Sequence, residues 1–187
     1  MGVPPRLIVI RGNSASGKSA AAAAIRDRHA RHDLAIVGQD NLRRVILREH
    51  DVPGGANIDL IDQTARFALS RGFHTIVEGI LTASHYGAML TALIGDHADR
   101  AFAYFLDVPF GETLRRHATK PESLKYGEAE LRQWYHGLDL LPGGIERVIP
   151  AESSLDDTVS KIMAETGLVS CSRPEGSRPE GLAGAPT

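Results

Sequence analysis

Apolar residues occur in two textures along the chain. Short runs rich in β-branched and aromatic residues (LIVI, LAIV, TIV, AFAYFL and RVI) alternate with longer stretches whose apolar positions recur three or four residues apart. The short runs predict strands over 6–10, 34–38, 75–77, 100–106 and 147–149. The longer stretches predict helices over 18–30, 41–50, 58–71, 85–95, 110–118, 128–137 and 155–166. Strand and helix alternating in this way imply an α/β fold, with a mostly parallel sheet covered by helices on both faces. In such a sheet ligands bind beyond the carboxyl ends of the strands, so the residues that follow each strand are where chemistry is expected.

The 187 residues suit one domain of ordinary size, long enough to bury a substantial core. The pattern of buried runs ends near residue 168, and the segment 169–187 carries SRPEG twice before LAGAPT, with little to bury. A domain over 1–168 and a disordered Pro/Gly-rich tail over 169–187 are therefore expected. A net charge of −2 gives no global attraction to nucleic acid or to an anionic membrane. The single cysteine, Cys171, excludes an intramolecular disulfide, and the N-terminus shows no secretion signal, so a cytoplasmic setting is expected. No apolar run approaches the length of a membrane span.

Directly behind the first strand, residues 12–19 spell GNSASGKS, filling every fixed position of G-x-x-x-x-G-K-[ST]. Glycines let the backbone turn its N–H groups inward toward phosphate oxygens, and the helix that follows presents its positive end to the same anion. Gly12, Asn13, Ser14, Ala15, Ser16, Gly17, Lys18, Ser19 and Ala20 are thus expected to hold a nucleoside triphosphate. Lys18 would reach the β- and γ-phosphates, and Ser19 would bind Mg²⁺.

The second strand is followed by GQDNLRR, which sets Asp40 at its end and Arg43 three residues further on. Asp40 is a candidate general base for an acceptor hydroxyl, a role compatible with capping the next helix, and Arg43 is a candidate substrate contact. After the third strand stands Glu78-Gly79, where an acidic residue would help place Mg²⁺ and substrate. The LDVP ending of the fourth strand looks like a helix start capped by Asp107. Beyond it, TLRRHATKP concentrates cations and then breaks at Pro121. This suits a lid spanning about 115–137, with Arg116 and Lys120 able to neutralise phosphate charge. Trp134 and Tyr135 are candidates to roof the acceptor, whereas His85, His117 and His136 show no metal-ligand spacing.

These elements together resemble the P-loop kinases of small molecules and 5′-hydroxyls, including phage-type polynucleotide kinase, chloramphenicol phosphotransferase, and gluconate and shikimate kinases. The likeness rests on GNSASGKS, the Asp40-x-x-Arg43 spacing, LDVP, TLRRHATKP and ELRQWY, and it covers nearly everything but the tail. It implies a three-layer P-loop NTPase sandwich of the nucleoside monophosphate kinase type, with a five-stranded parallel sheet and a helical lid. It also implies ATP with Mg²⁺ as donor, Asp40 as base and Arg116 as the lid arginine. The expected activity is phosphoryl transfer to a hydroxyl of a small molecule such as an antibiotic, nucleoside or sugar. A 5′-hydroxyl kinase of nucleic acid ends and a nucleotide-gated regulatory module are the alternatives. The former would draw on a local patch at Arg43, Arg44 and Arg48, although the cations are otherwise scattered among 23 acidic residues.

Overall fold

The computed structural model describes residues 4–29, 31–119 and 126–168. Lys120 and the tail over 169–187 lie outside the described residues. The strands β1 (Leu7–Gly12), β2 (Leu34–Gly38), β3 (His74–Gly79), β4 (Ala101–Asp107) and β5 (Glu146–Pro150) form one sheet in the order β2-β3-β1-β4-β5. Every pairing in it is parallel. The helices are α1 (Lys18–His29), α2 (Ala56–Ser70), α3 (Ala83–Gly95), α4 (Phe110–Ala118), α5 (Glu128–Gln133) and α6 (Leu155–Thr166).

β1 is apolar from Leu7 to Ile10 because both of its faces are covered. Leu7 and Val9 point into one core with Ile58, Ile61 and Leu69 of α2 and Leu90 and Leu93 of α3. Ile8 and Ile10 point into the other, with Ala21, Ala22 and Ile25 of α1 and Val159 and Ile162 of α6. The small alanines of α1 let that helix lie close to the sheet, which fixes the start of α1 behind the loop it follows.

Three expectations need correction. The helix expected over 41–50 is a short π-helical segment, Asn41–Leu47, closed by Arg48 in the left-handed region at φ 53°. Only Leu42 of this segment is buried, while Val45 and Ile46 are 70% and 58% exposed, so no core interface selects a regular α-helical face. The helix expected over 128–137 stops at Gln133. Asn13 captures the backbone beyond it, donating from Nδ2 to Gly137 O at 2.9 Å and accepting from His136 N at 2.9 Å, so those groups are unavailable to an extended helix. Asp107 does not cap α4. It pairs in register with Pro150 and ends β4, and Pro109 takes the cap position without a side-chain bond.

A charged side chain of β1 is also buried. Arg11 shares the parity of Leu7 and Val9 along β1, and its guanidinium is fully enclosed. Its Nε donates to Leu81 O at 2.8 Å, Nη1 to both carboxylate oxygens of Glu146 at 3.0 and 2.9 Å, and Nη2 to Asp139 Oδ2 at 2.9 Å. The carboxylates in turn accept backbone bonds, Glu146 from Leu141 N at 2.6 Å and Asp139 from Ala83 N at 2.8 Å. Removing one partner strands a buried charge, which costs far more than the net worth of the intact cluster. We therefore expect Glu146→Ala to lower the unfolding free energy by about 3–5 kcal/mol in urea titrations followed by circular dichroism. A loss below about 1 kcal/mol, the scale of a surface ion pair, would show that the cluster is hydrated in solution.

Candidate functional site

Strand register builds the site. Ile10 of β1 pairs with Glu78 of β3, which pairs on its other side with Gly38 of β2. The carboxyl ends of three neighbouring strands thereby bring the 12–19 loop, Glu78 and Asp40 to one edge of the sheet. Two glycines permit the close approaches this needs. A Cβ on Gly12, at φ 146°, would sit 2.6 Å from Leu106 O, and a Cβ on Gly79 would sit 2.5 Å from Gln39 Oε1.

The loop is tightly wound. Ala15 lies in the left-handed region at φ 59°, and Ser16 N donates to Asn13 O at 3.2 Å. Lys18 Nζ donates to Asn13 O at 2.7 Å and to Ser16 Oγ at 3.3 Å, which places its ammonium inside the curl of the loop. Ser19 Oγ donates to Glu78 Oε2 at 2.9 Å. Burial pushes the Glu78 carboxyl above its ordinary range. The Ser19 hydroxyl and the Lys18 charge oppose that rise, and the Asp40 charge adds to it. Asp40 itself is exposed and accepts from Arg43 Nη2 at 3.3 Å and Arg44 Nε at 2.9 Å.

Lys18, Ser19, Asp40 and Glu78 line one cavity of about 400 Å³, together with Gln39, Arg44, His117, Tyr126 and Trp134. A hydroxyl and a carboxylate in hydrogen-bond contact form a hard oxygen pair suited to Mg²⁺, and the loop ammonium beside them suits a phosphate, so these residues fit both groups. A second cavity of about 290 Å³ lies on the other side of the loop, between Ala20 and Ala21 of α1, Leu106, Val108 and the 149–155 segment. Its lining sets Leu106, Val108, Ile149 and Leu155 beside Ser153 and Thr158, a mixture that suits a heteroaromatic base.

Arg116 belongs to this second cavity and not to the first. Its Nη1 donates to Ser16 O at 3.3 Å, its Nη2 to Ala151 O at 3.1 Å and its Nε to Glu112 Oε1 at 2.7 Å. Trp134 lines the first cavity, in edge contact with Tyr126 at 5.0 Å. Tyr135 is among the lining residues of neither cavity; its ring packs edge-on against Phe110 at 5.2 Å and braces α4. Arg43 lines a third cavity that shares Arg44, Ile80 and Trp134 with the first.

Sequence reasoning missed several contributors. Gln39 is buried, and its amide accepts from Leu81 N at 3.2 Å while donating to Tyr86 Oη at 2.8 Å, so it holds the β3–α3 connection beside the site. His117 and Tyr126 stack at 4.9 Å, with His117 Nε2 2.9 Å from Tyr126 O. An aromatic residue just past the proline break was the available signal for Tyr126. A further cluster of His29, Asp33 and His74 lies at the opposite end of the sheet. His74 Nδ1 accepts from Arg6 N at 3.0 Å, which puts the proton on Nε2 and leaves that imidazole a poor ligand.

No family model and no curated protein matches the chain. Solved structures do match its fold. The APS kinase CysC of Mycobacterium tuberculosis, in complex with AMPPNP and APS, superposes with a TM-score of 0.67 at 18% identity over 87% of this chain and 98% of that one. A gluconokinase from Sinorhizobium meliloti 1021 gives 0.60 at 17% identity over 89% and 94%. The tunicamycin resistance protein of Deinococcus radiodurans gives 0.57 at 16% identity over 90% and 99%. The five-stranded parallel sheet with flanking helices is thus the P-loop kinase fold. Among the described residues, no helix is long and apolar enough to cross a membrane.

Glu78 makes the site's cost to stability measurable. Its raised pKa means that the folded state binds the proton more tightly than the unfolded chain does. That contribution is present below the ordinary carboxylate pKa and is lost as pH rises through the raised value. Glu78→Gln should therefore melt above the parent at neutral pH, with the gap closing toward about pH 4, and should bind nucleotide with weaker Mg²⁺ dependence. Parallel melting curves for parent and variant across that range would refute the buried-charge account.

Proposed function

We propose that the chain is an ATP- and Mg²⁺-dependent phosphotransferase that moves the γ-phosphoryl group to a hydroxyl of a small molecule. The observation that carries this is the meeting of Asp40 with Lys18, Ser19 and Glu78 in one cavity. A phosphate-binding loop alone serves switches and hydrolases equally well, whereas a carboxylate facing it supplies the proton acceptor that an alcohol requires.

In this reading the loop amides and Lys18 hold the β- and γ-phosphates, and Ser19 with Glu78 holds Mg²⁺. The metal offsets charge on the β- and γ-oxygens when bound. Asp40 orients the acceptor hydroxyl and takes its proton as the new O–P bond forms and the β–γ bridging bond breaks, with ADP leaving. Arg116 and the second cavity serve the nucleoside end of the donor, a role distinct from the phosphate-neutralising one expected of a lid arginine. Trp134 forms one wall of the acceptor's approach.

The printed descriptions of the similar structures, covering APS, gluconate and tunicamycin resistance, support a small-molecule acceptor of the antibiotic, sugar or nucleoside kind over a polymer. Arg43 and Arg44 both pair with Asp40, which weakens them as a polyanion track. A label-transfer screen from γ-labelled ATP over hydroxylated antibiotics, nucleosides, sugars and 5′-hydroxyl oligonucleotides tests this directly. Transfer to oligonucleotides alone would overturn the small-molecule assignment. With the acceptor so found, Asp40→Asn should lower kcat by roughly 10²–10⁴-fold while leaving nucleotide affinity near that of the parent. Unchanged turnover in Asp40→Asn would remove the base assignment.

A further inference from the structure

His29, Asp33 and His74 form a cluster of titratable groups that lines none of the three cavities. Strand register places it. Leu7 pairs with Thr75 and Leu34 with His74, so the first residue of β3 lies between the starts of β1 and β2. His29 is the last residue of α1, the helix that begins at Lys18 and Ser19. Both imidazoles are buried, at 2% exposure for His29 and 9% for His74, and their rings meet edge-on at 5.4 Å.

In each ring one nitrogen has nowhere to direct a proton. His74 Nδ1 faces the backbone N–H of Arg6 at 3.0 Å and accepts from it. His29 Nε2 lies 2.6 Å from Asp33 Oδ1, and its Nδ1 is buried with no hydrogen-bond partner among the described residues. A neutral imidazole is one donor and one acceptor, whereas an imidazolium is two donors. Charging His74 therefore sets N–H against N–H, and Arg6 N loses its acceptor. A buried amide in that state forfeits its hydrogen bond without regaining hydration.

Among the described residues, the charged groups acting on His74 come from each element packed against it: His29 of α1, Arg31 and Asp33 of the turn before β2, and Arg6 ahead of β1. Burial holds the imidazole below its ordinary value of 6.5. Asp33 opposes that fall, while His29, Arg6 and Arg31 add to it. The folded chain thus holds this proton less tightly than the unfolded one. The stability that His74 contributes is complete above the ordinary imidazole value and is lost as pH falls below it. Two ladder bonds flank the Arg6 contact, from His74 N to Asp33 O at 2.8 Å and from Thr75 N to Arg6 O at 2.8 Å, so the seam where β1, β2 and β3 begin is tied to the His74 acceptor.

We propose that His74 is an acid-sensitive latch: protonation at its Nδ1 releases Arg6 N and opens the start of β1 from β3, at the end of the sheet opposite the 12–19 loop. The latch is independent of the phosphotransfer reading.

Amide exchange followed by NMR on the full chain, corrected for the intrinsic pH dependence of exchange, reads the latch directly. Between about pH 7.5 and 5.5, protection at Arg6 and Thr75 should fall roughly fivefold, the scale of one hydrogen bond, while Ala103 to Leu106 of β4 keep theirs. His74→Asn sets Oδ1 where Nδ1 stands and takes up no proton, so protection at Arg6 should stay level across the range. His74→Leu removes the acceptor, so Arg6 should exchange fast at both ends of it. The ring protons of His74 should shift only below the ordinary value of 6.5.

Level protection at Arg6 in the parent, an equal fall in His74→Asn, or parent-like protection at neutral pH in His74→Leu overturns the proposal. Titration of the His74 ring at or above its ordinary value does the same. Should His74→Asn fold poorly, the parent titration and His74→Leu decide the matter.

Discussion

The buried guanidinium of Arg11 is the constraint on which both walls of the site depend. It sits one residue before the loop glycine, on the central strand, and spends its donors on three separate segments: Leu81 after β3, Asp139 beyond α5 and Glu146 at the start of β5. Those segments have no other covalent reason to meet. Leu81 holds a positive φ of 47°, a costly conformation for a branched side chain, and it is clamped there by Arg11 at its carbonyl and Gln39 at its N–H. Asn13 adds a second tie, from the loop to His136 and Gly137. The loop that would hold phosphates is therefore bonded on both sides of Gly12 to the stretch that carries Trp134 and His136. A shift of that stretch would be felt in the loop within two hydrogen bonds.

An electrostatic tension runs alongside this mechanical one. Glu78, Asp40 and Lys18 are gathered on one edge, and the Asp40 charge adds to the rise that burial imposes on the Glu78 carboxyl. A fold optimised for stability alone would not bury a carboxylate beside another. Under the proposed reading a divalent cation held by Ser19 and Glu78 would relieve that repulsion by adding positive charge. Arg43 and Arg44 temper the exposed Asp40, but ion pairs at that exposure contribute little and leave the carboxylate able to exchange partners.

What was legible in the sequence was whatever is written in consecutive residues. The five strands, the fully buried β1 and the loop at 12–19 each announce themselves through local pattern, and the strand-end rule then pointed to Asp40 and Glu78. What was not legible depends on sequence separations that no local pattern carries. Arg11 looked like a residue past the end of a strand because its partners lie 128 and 135 positions away. The end of α5 was misjudged because its competitor for backbone bonds is Asn13, on the other side of the chain. The company of cations around Arg116 is local, but its bonds to Ser16 O and Ala151 O, beside the one to Glu112, span separations that no local pattern carries. The π-helical turn at 41–47 followed from exposure of Val45 and Ile46, which periodicity alone reads as a buried face.

The division of labour among the cavities follows from the same geometry. The loop runs between the first and second cavities, with Lys18, Ser19 and Glu78 on one side and Leu106, Val108 and Ile149 on the other, so a nucleotide lying across it would reach both. Arg44, Ile80 and Trp134 form a shared boundary between the first and third cavities. Arg43 and Arg44, which line the third cavity, are thus tied to Asp40 of the first by direct ion pairs.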